Sequence, residues 1–250
     1  MNKSLFCTVV ILILTGIVSC NKPKTDNQST SVVDELPQVD ETIENSPKTE
    51  VKKDFTDFLP EGHVMFDTIF GDLNKDNQED CVLIIKGTDK NKIITHEYRG
   101  QLDRNRRGII VLLNENGNYQ LATKNYDCFS SENEDGGVYY APELSVEVSK
   151  GKLFVNYGHG RYGYWSYTFR YQNNGFALIG YDASHNRGPV TETQVSINYL
   201  TRQKIVNHNT NENADDGEEI FEKTLTKIKK TKLTLLSEIK DFDELDISED

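Results

Sequence analysis

The sequence has no apolar run long enough to cross a bilayer. Its longest, from Leu5 to Val18, is roughly 14 residues, against the roughly 20 that a spanning helix needs. Hydrophobic residues are scarce overall, at 36%, so part of the chain is expected to stay outside any core. Positive charge is in deficit: 28 Lys and Arg stand against 40 Asp and Glu, a formal net charge of −12. A chain of that sign repels phosphate backbones, which excludes nucleic acid as a natural partner. There are only two Met and one Trp, while Tyr and Phe number 12 and 11; that bias favours strands over helices. Catalytic signatures are also missing. No serine sits in a nucleophile elbow, no paired-histidine zinc motif occurs, and no cysteine has a catalytic setting. The chain is therefore not read as an enzyme.

What is present begins with a signal. Lys3 followed by the apolar run reads as a signal peptide over residues 1–19. Ile17, Val18, Ser19 and Cys20 resemble a lipobox, the cleavage site of bacterial lipoproteins. That resemblance implies lipidation of Cys20 with palmitate-type chains and anchoring in a bacterial cell envelope, the outer membrane foremost. Each buried CH₂ of such chains contributes about 0.8 kcal/mol to membrane attachment. Cys7 leaves with the signal, so Cys81 and Cys128 remain. In an oxidising compartment they form either a disulfide or two free buried thiols. Residues 20–53 are polar and carry Pro23, Pro37 and Pro47. They cannot bury enough apolar surface to offset their ordering entropy, which predicts a disordered linker.

Residues 54–250 read as one β-rich domain. Short apolar runs at 64–70, 81–86, 109–113 and 119–123 predict four strands, with a turn signal at Asn114, Glu115, Asn116 and Gly117. A second set falls at 144–148, 153–157, 165–171 and 176–181, punctuated by Lys150 and Gly151 and by Asn173, Asn174 and Gly175. A hairpin at 194–200 and 204–206 follows, and 225–236 supplies closing strands. The expected class is all-β: antiparallel meanders forming a sandwich or a few propeller-like blades.

One segment carries metal chemistry. Asp72, Asn74, Asp76, Gln78 and Asp80 alternate along a tight loop that runs into an apolar strand, spanning 71–85. Calcium takes six to eight hard oxygen ligands, and such a loop offers every second residue to one centre, Gln78 through its carbonyl. The twelfth position is Leu83 where an EF-hand places a bidentate Glu, so the loop leads into a strand rather than a helix. With Phe70 and Gly71 just before it, the segment resembles the FG-GAP calcium loop of integrin-α-type propellers. The wider chain resembles Bacteroidetes-type lipoproteins with one such repeat, through Gly71 to Asn74, Tyr167 to Tyr171, Leu178 to Asp182 and Ser196 to Leu200. The resemblance implies structural calcium held by the side chains of Asp72, Asn74, Asp76 and Asp80.

The segment from Tyr157 to Trp165 is rich in glycine and aromatic residues. His159, Arg161 and Tyr162 are candidate ligand contacts, whereas Trp165, Tyr167, Phe169 and Tyr171 alternate as one core-facing stripe. Arg104, Asn105, Arg106 and Arg107 read as a solvated basic loop. Together these features predict a membrane-anchored envelope lipoprotein whose calcium-braced domain binds another envelope protein or a glycan. The alternative is an envelope hydrolase with a loop-built site where His159, Asp182 and His185 converge.

Overall fold

The computed structural model describes residues 50–134, 140–229, 231–245 and 247. The signal peptide, Cys20 and the linker up to residue 49 lie outside the described residues. Among those described, strands dominate, and the helical elements are four short 3₁₀ turns.

Five strands form one sheet: β1 (Val51–Lys52), β2 (His63–Gly71), β3 (Asp80–Gly87), β6 (Arg107–Glu115) and β7 (Asn118–Phe129), in the order β1-β7-β6-β3-β2. A second sheet runs in unbroken sequence order from β8 (Glu143–Ser149) through β9 (Lys152–Gly158), β10 (Gly163–Gln172), β11 (Gly175–Arg187), β12 (Val190–Asn198) and β13 (Gln203–Asn209) to β14 (Phe221–Lys227). β4 (Ile93–His96) and β5 (Gly100–Asp103) pair as a small hairpin. Every pairing is antiparallel, and the two large sheets share one core. The all-β sandwich expected from the short alternating runs is the fold.

The turn signals act as expected. Asn116 and Gly117 join β6 to β7 with positive φ at both residues, and Asn173 and Asn174 do the same between β10 and β11. Paired left-handed residues match the right-handed twist of the strands they connect.

β3 explains how the sheets stack. Its residues from Asp80 to Ile85 are all buried, because both faces of this central strand are covered. Val82 and Ile84 point into the shared core with Ile109, Val111, Leu153, Val155 and Phe169. Cys81, Leu83 and Ile85 point to the outer face, where Phe55, Phe58 and Leu59 cover them with Leu112 and Tyr119. That cover is a 3₁₀ turn at Phe55–Phe58, fixed by Asp54, whose carboxylate accepts the Thr56 N–H at 2.9 Å.

Two consequences follow. Cys81 and Cys128 fall on opposite faces of the five-stranded sheet, so they are two free buried thiols and no disulfide joins them. Burial raises both thiols, Cys81 to about 12, so neither is a nucleophile at neutral pH. The domain also begins earlier than its expected start at residue 54. Val51 and Lys52 pair with Gln120 and Tyr119, inside the segment assigned to the linker.

The C-terminal segment is a strap rather than a second closing strand. After β14 the chain drops Leu236, Ile239 and Phe242 into the core. It is pinned by Asn125 Nδ2 donating to the carbonyls of Leu236 (3.0 Å) and Ile239 (2.6 Å), and by the Phe242 N–H donating to the Cys128 carbonyl (3.0 Å).

Candidate functional site

The acidic loop between β2 and β3 is closed by its own backbone. Asp72 accepts from the N–H groups of Lys75, Asp76 and Asn77 at 2.6, 3.1 and 3.0 Å. Asp76 accepts from the Gln78 N–H at 2.8 Å and from Asn74 Nδ2 at 3.0 Å, and the Asn74 side chain holds its carboxyl below the usual range. Lys75 and Asn77 adopt left-handed φ of 69° and 66° to make this possible; Asn77 thus fills the position where calcium loops place glycine. The Gln78 side chain donates to the Asp76 carboxylate at 3.4 Å and accepts the Asn116 N–H at 2.8 Å.

Asp80 behaves differently from its neighbours. It is fully buried, with one oxygen on the Leu73 N–H (2.7 Å) and the other on the Asn114 N–H (2.9 Å). It therefore ties the loop to β6. Burial lifts its carboxyl, the charge of Asp76 adds to that, and the two amides oppose it. Among the described residues no three His, Cys, Asp or Glu side chains are gathered as a metal site requires. The carboxylates of Asp72, Asp76 and Asp80 all accept main-chain N–H groups.

The basic run is not a solvated loop. Arg107 is 5% exposed; its Nε donates to the Ser130 carbonyl at 2.9 Å and its guanidinium lies 5.3 Å from the Phe66 ring. Arg106 pairs with Asp241 at 2.7 Å, and Arg104 pairs with Glu134. Beside them Lys86 bridges Asp103 (2.8 Å) and Glu132 (2.9 Å), which holds the Asp103 carboxyl down at about 2. Sequence alone could not supply the acids, because they come from distant segments.

The end of the seven-stranded sheet near β9 and β10 is where cavities cluster. The loop joining these strands, with Tyr140, Ala141 and Glu143, lines a pocket of about 380 Å³ that includes His159, Arg161 and Tyr162. His159 Nε2 lies 3.1 Å from the Tyr140 carbonyl, its ring rests 5.5 Å from Tyr162, and the Arg161 guanidinium sits 5.7 Å over the same ring. Gly163 closes the loop at φ 114°, where an added Cβ would fall 1.8 Å from the Ser184 carbonyl oxygen. No other residue fits there.

Next to it, sharing Ala141, lies a cleft of about 450 Å³ walled by rings. Tyr157 on β9 and Trp165 on β10 are cross-strand partners with stacked rings 5.3 Å apart. Tyr167 and Tyr181 pair across β10 and β11 at 5.2 Å, and Phe242 from the strap meets Tyr167 edge-on at 5.0 Å. Glu134, His185 and Asp243 add polar groups. Burial raises the phenols of Tyr157, Tyr167 and Tyr181, the last to about 12, and Asp243 adds to the first two. All three stay neutral hydrogen-bond donors at physiological pH.

The core stripe read from β10 is present, for Tyr167 and Phe169 are buried and Trp165 and Tyr171 pack against them. Its upper half, however, also walls the cleft. Sequence reasoning missed Tyr181, Phe242, Asp243 and Glu134. The available signal was the number of phenols on one core-facing surface, since each buried hydroxyl needs a partner.

His159, Asp182 and His185 do not converge. His185 lines the cleft and His159 the neighbouring pocket. Asp182 alternates with the buried Tyr181 and Ala183 and faces the opposite, exposed side of the sheet, between Ser166 and Ser196. Comparison with protein-family models, with curated proteins and with solved structures finds no match.

Proposed function

We propose that this chain is a non-catalytic binding module, held at a bacterial cell envelope by lipid on Cys20, which takes its ligand at the β9–β10 end of the sandwich. The observation that carries the reading is the ring-walled cleft of about 450 Å³ adjoining the pocket at His159. Concave sites lined by aromatic rings with a few polar groups are where ligands bind. Three observations support a non-catalytic reading. The two histidines and Asp182 are apart, the phenols stay protonated, and both thiols are buried and raised. The anchor rests on the lipobox-like residues Ile17 to Cys20.

The test is retention of isolated bacterial cell-wall and outer-membrane material by the full chain in detergent, with the material analysed afterwards. Retention should fall roughly tenfold or more in Trp165→Ala, as for the loss of a central aromatic contact, and the material should come back chemically unchanged. Time-dependent release of new reducing ends, acids or amines would favour the hydrolase. Equal retention by parent and Trp165→Ala would remove the cleft from the reading.

A further inference from the structure

The two large sheets end in four edge strands, β1, β2, β8 and β14, and three of them are blocked. β1 is two residues long, β2 is broken by a bulge between Met65 and Asp67, and β8 lies against β2, with Gly71 beside Val148. Short strands, bulges and covering neighbours are devices that stop an edge from pairing with another chain. β14 has none of them. Its residues pair in unbroken register with β13, and every one from Phe221 to Lys227 is exposed. Phe221 and Leu225, 41% and 59% exposed, share a face with Lys223 and Lys227.

The strand also holds main-chain groups out to solvent. The Thr210 N–H donates to the Ile220 carbonyl at 2.8 Å, and the Ile228 N–H to the Arg202 carbonyl at 3.1 Å. In an antiparallel ladder the bonded pairs recur at every second residue. Even-numbered residues of β14 therefore bond to β13, and the N–H and C=O groups of Phe221, Lys223, Leu225 and Lys227 point away from the edge.

We infer that a second copy of this chain occupies that edge: two β14 strands pair antiparallel about a two-fold axis through Thr224, joining their seven-stranded sheets into one. Read backwards, the strand fits itself. Bonds between outward groups need odd residues opposite odd ones, so the axis must pass through a residue. An axis through Glu222 or Lys223 sets that residue on its own copy, and one through Leu225 sets Lys223 on Lys227. Like charges directly opposite are destabilising. The axis through Thr224 avoids each of these clashes and is the one that pairs all seven residues. Glu222 then faces Thr226, Thr224 faces its own copy, and Phe221 faces Lys227, whose ammonium can lie on the ring. Leu225 faces Lys223 and falls diagonal to the second Phe221, at roughly 7–8 Å, within reach of an aromatic ring. The apolar groups that each copy alone leaves in water thus gather on one face. The lysines guard against slipped registers rather than against pairing itself.

Disulfide trapping in the full chain in detergent reads the register directly. Thr224 meets its own copy at a non-hydrogen-bonded site, where Cα atoms are about 4.5 Å apart, close enough for a disulfide. Thr224→Cys should therefore give a covalent dimer under mild oxidation, seen on a non-reducing gel. Lys223→Cys and Leu225→Cys should each stay monomeric alone and crosslink to one another when co-expressed. The parent, whose Cys81 and Cys128 are buried, is the blank. Adding Leu225→Pro to Thr224→Cys removes one outward N–H and no bond to β13, so the dimer should vanish while the unfolding transition persists. No dimer from Thr224→Cys although its new thiol reacts with a maleimide, equal crosslinking at all three positions, or a dimer that survives Leu225→Pro in folded protein would each overturn the assignment. A Thr224→Cys crosslink to a different envelope protein alone would give the edge to a foreign strand and overturn it as well.

Discussion

The loop at residues 72–80 and the cleft at Tyr157 are both crowded with polar groups, and they deal with them in opposite ways. In the loop, the side-chain oxygens of Asp72, Asn74, Asp76, Gln78 and Asp80 all accept main-chain N–H groups. In the cleft, one phenol is buried with no partner among the described residues. The loop carries the conspicuous motif; the cleft reads from sequence as ordinary core. Alternating oxygens in a turn serve the backbone as well as they serve a cation. A buried donor left over has no such internal use.

The largest expected effect lies in the loop. Asp80→Ala leaves two buried N–H groups, of Leu73 and Asn114, without acceptors. Hydrogen bonds to charged groups contribute about 1.5 to 3 kcal/mol each and an orphaned partner costs extra, so a loss of about 3 kcal/mol is expected. Thermal unfolding in excess chelator should show a fall of roughly 6 to 12 °C for a domain of this size. A change under 2 °C would mean that Asp80 does not brace the loop.

Next comes Asp72→Ala, which removes the acceptor of three exposed N–H groups. By analogy with lost caps it should cost about 1 kcal/mol, again in chelator. The same pair of proteins tests calcium. If main-chain N–H groups are the partners of these acids, millimolar calcium should move parent and variant equally and by little. A rise of several degrees in the parent alone would mean that a cation at this loop outcompetes the amides, as the FG-GAP resemblance implies.

Much of the fold was legible because it depends on local rules. Ten apolar runs became strands, since turn residues such as Asn116–Gly117 and Asn173–Asn174 fix where each hairpin reverses. The short strands β1, β4 and β5 were not, because nothing in Val51–Lys52 or Ile93–His96 alternates over enough residues to show a period. The loop at His159 was legible through its glycines, and it does line a pocket. The cleft was not, because its walls come from β9, β10, β11 and the C-terminal strap. Phe242 and Asp243 lie far along the chain from Tyr157, and no spacing rule joins them. Arg107 was misread for the same reason: its cover and its neighbouring acids are non-local.

A smaller effect is expected from the ion pairs that Lys86 makes with Asp103 and Glu132. Asp103 is held at about 2 in the folded chain, chiefly by Lys86, against an ordinary 3.8. A depressed acid stabilises the fold fully above its unfolded value and loses that contribution as pH falls through its folded one. The window is therefore from about 3.8 down to about 2. Lys86→Met should cost most near pH 7, where the contribution is complete, and less at pH 3, so that the stability curves of parent and variant converge as pH falls toward about 2. Parallel pH curves for parent and variant would show that the pair does not hold the Asp103 carboxyl down.

The smallest effect is the sharpest test of the comparison, because it sets two phenols of one cleft against each other. Tyr167 donates to the Phe242 carbonyl at 3.5 Å, the outer limit of a hydrogen bond, while Tyr157 donates to nothing among the described residues. Both are almost fully buried, and both become Phe with no change of ring. Tyr167→Phe should therefore cost up to about 0.5 kcal/mol, for a weak bond lost and a carbonyl left with one partner fewer. Tyr157→Phe should gain up to about 1 kcal/mol, since it removes a desolvated hydroxyl that no protein group repays. The signs are opposite, so chemical unfolding of both variants at equal ionic strength separates them even when each shift is small. If Tyr157→Phe instead loses as much as Tyr167→Phe, an ordered water already accepts its proton, and the cleft's polar groups are as settled as those of the loop.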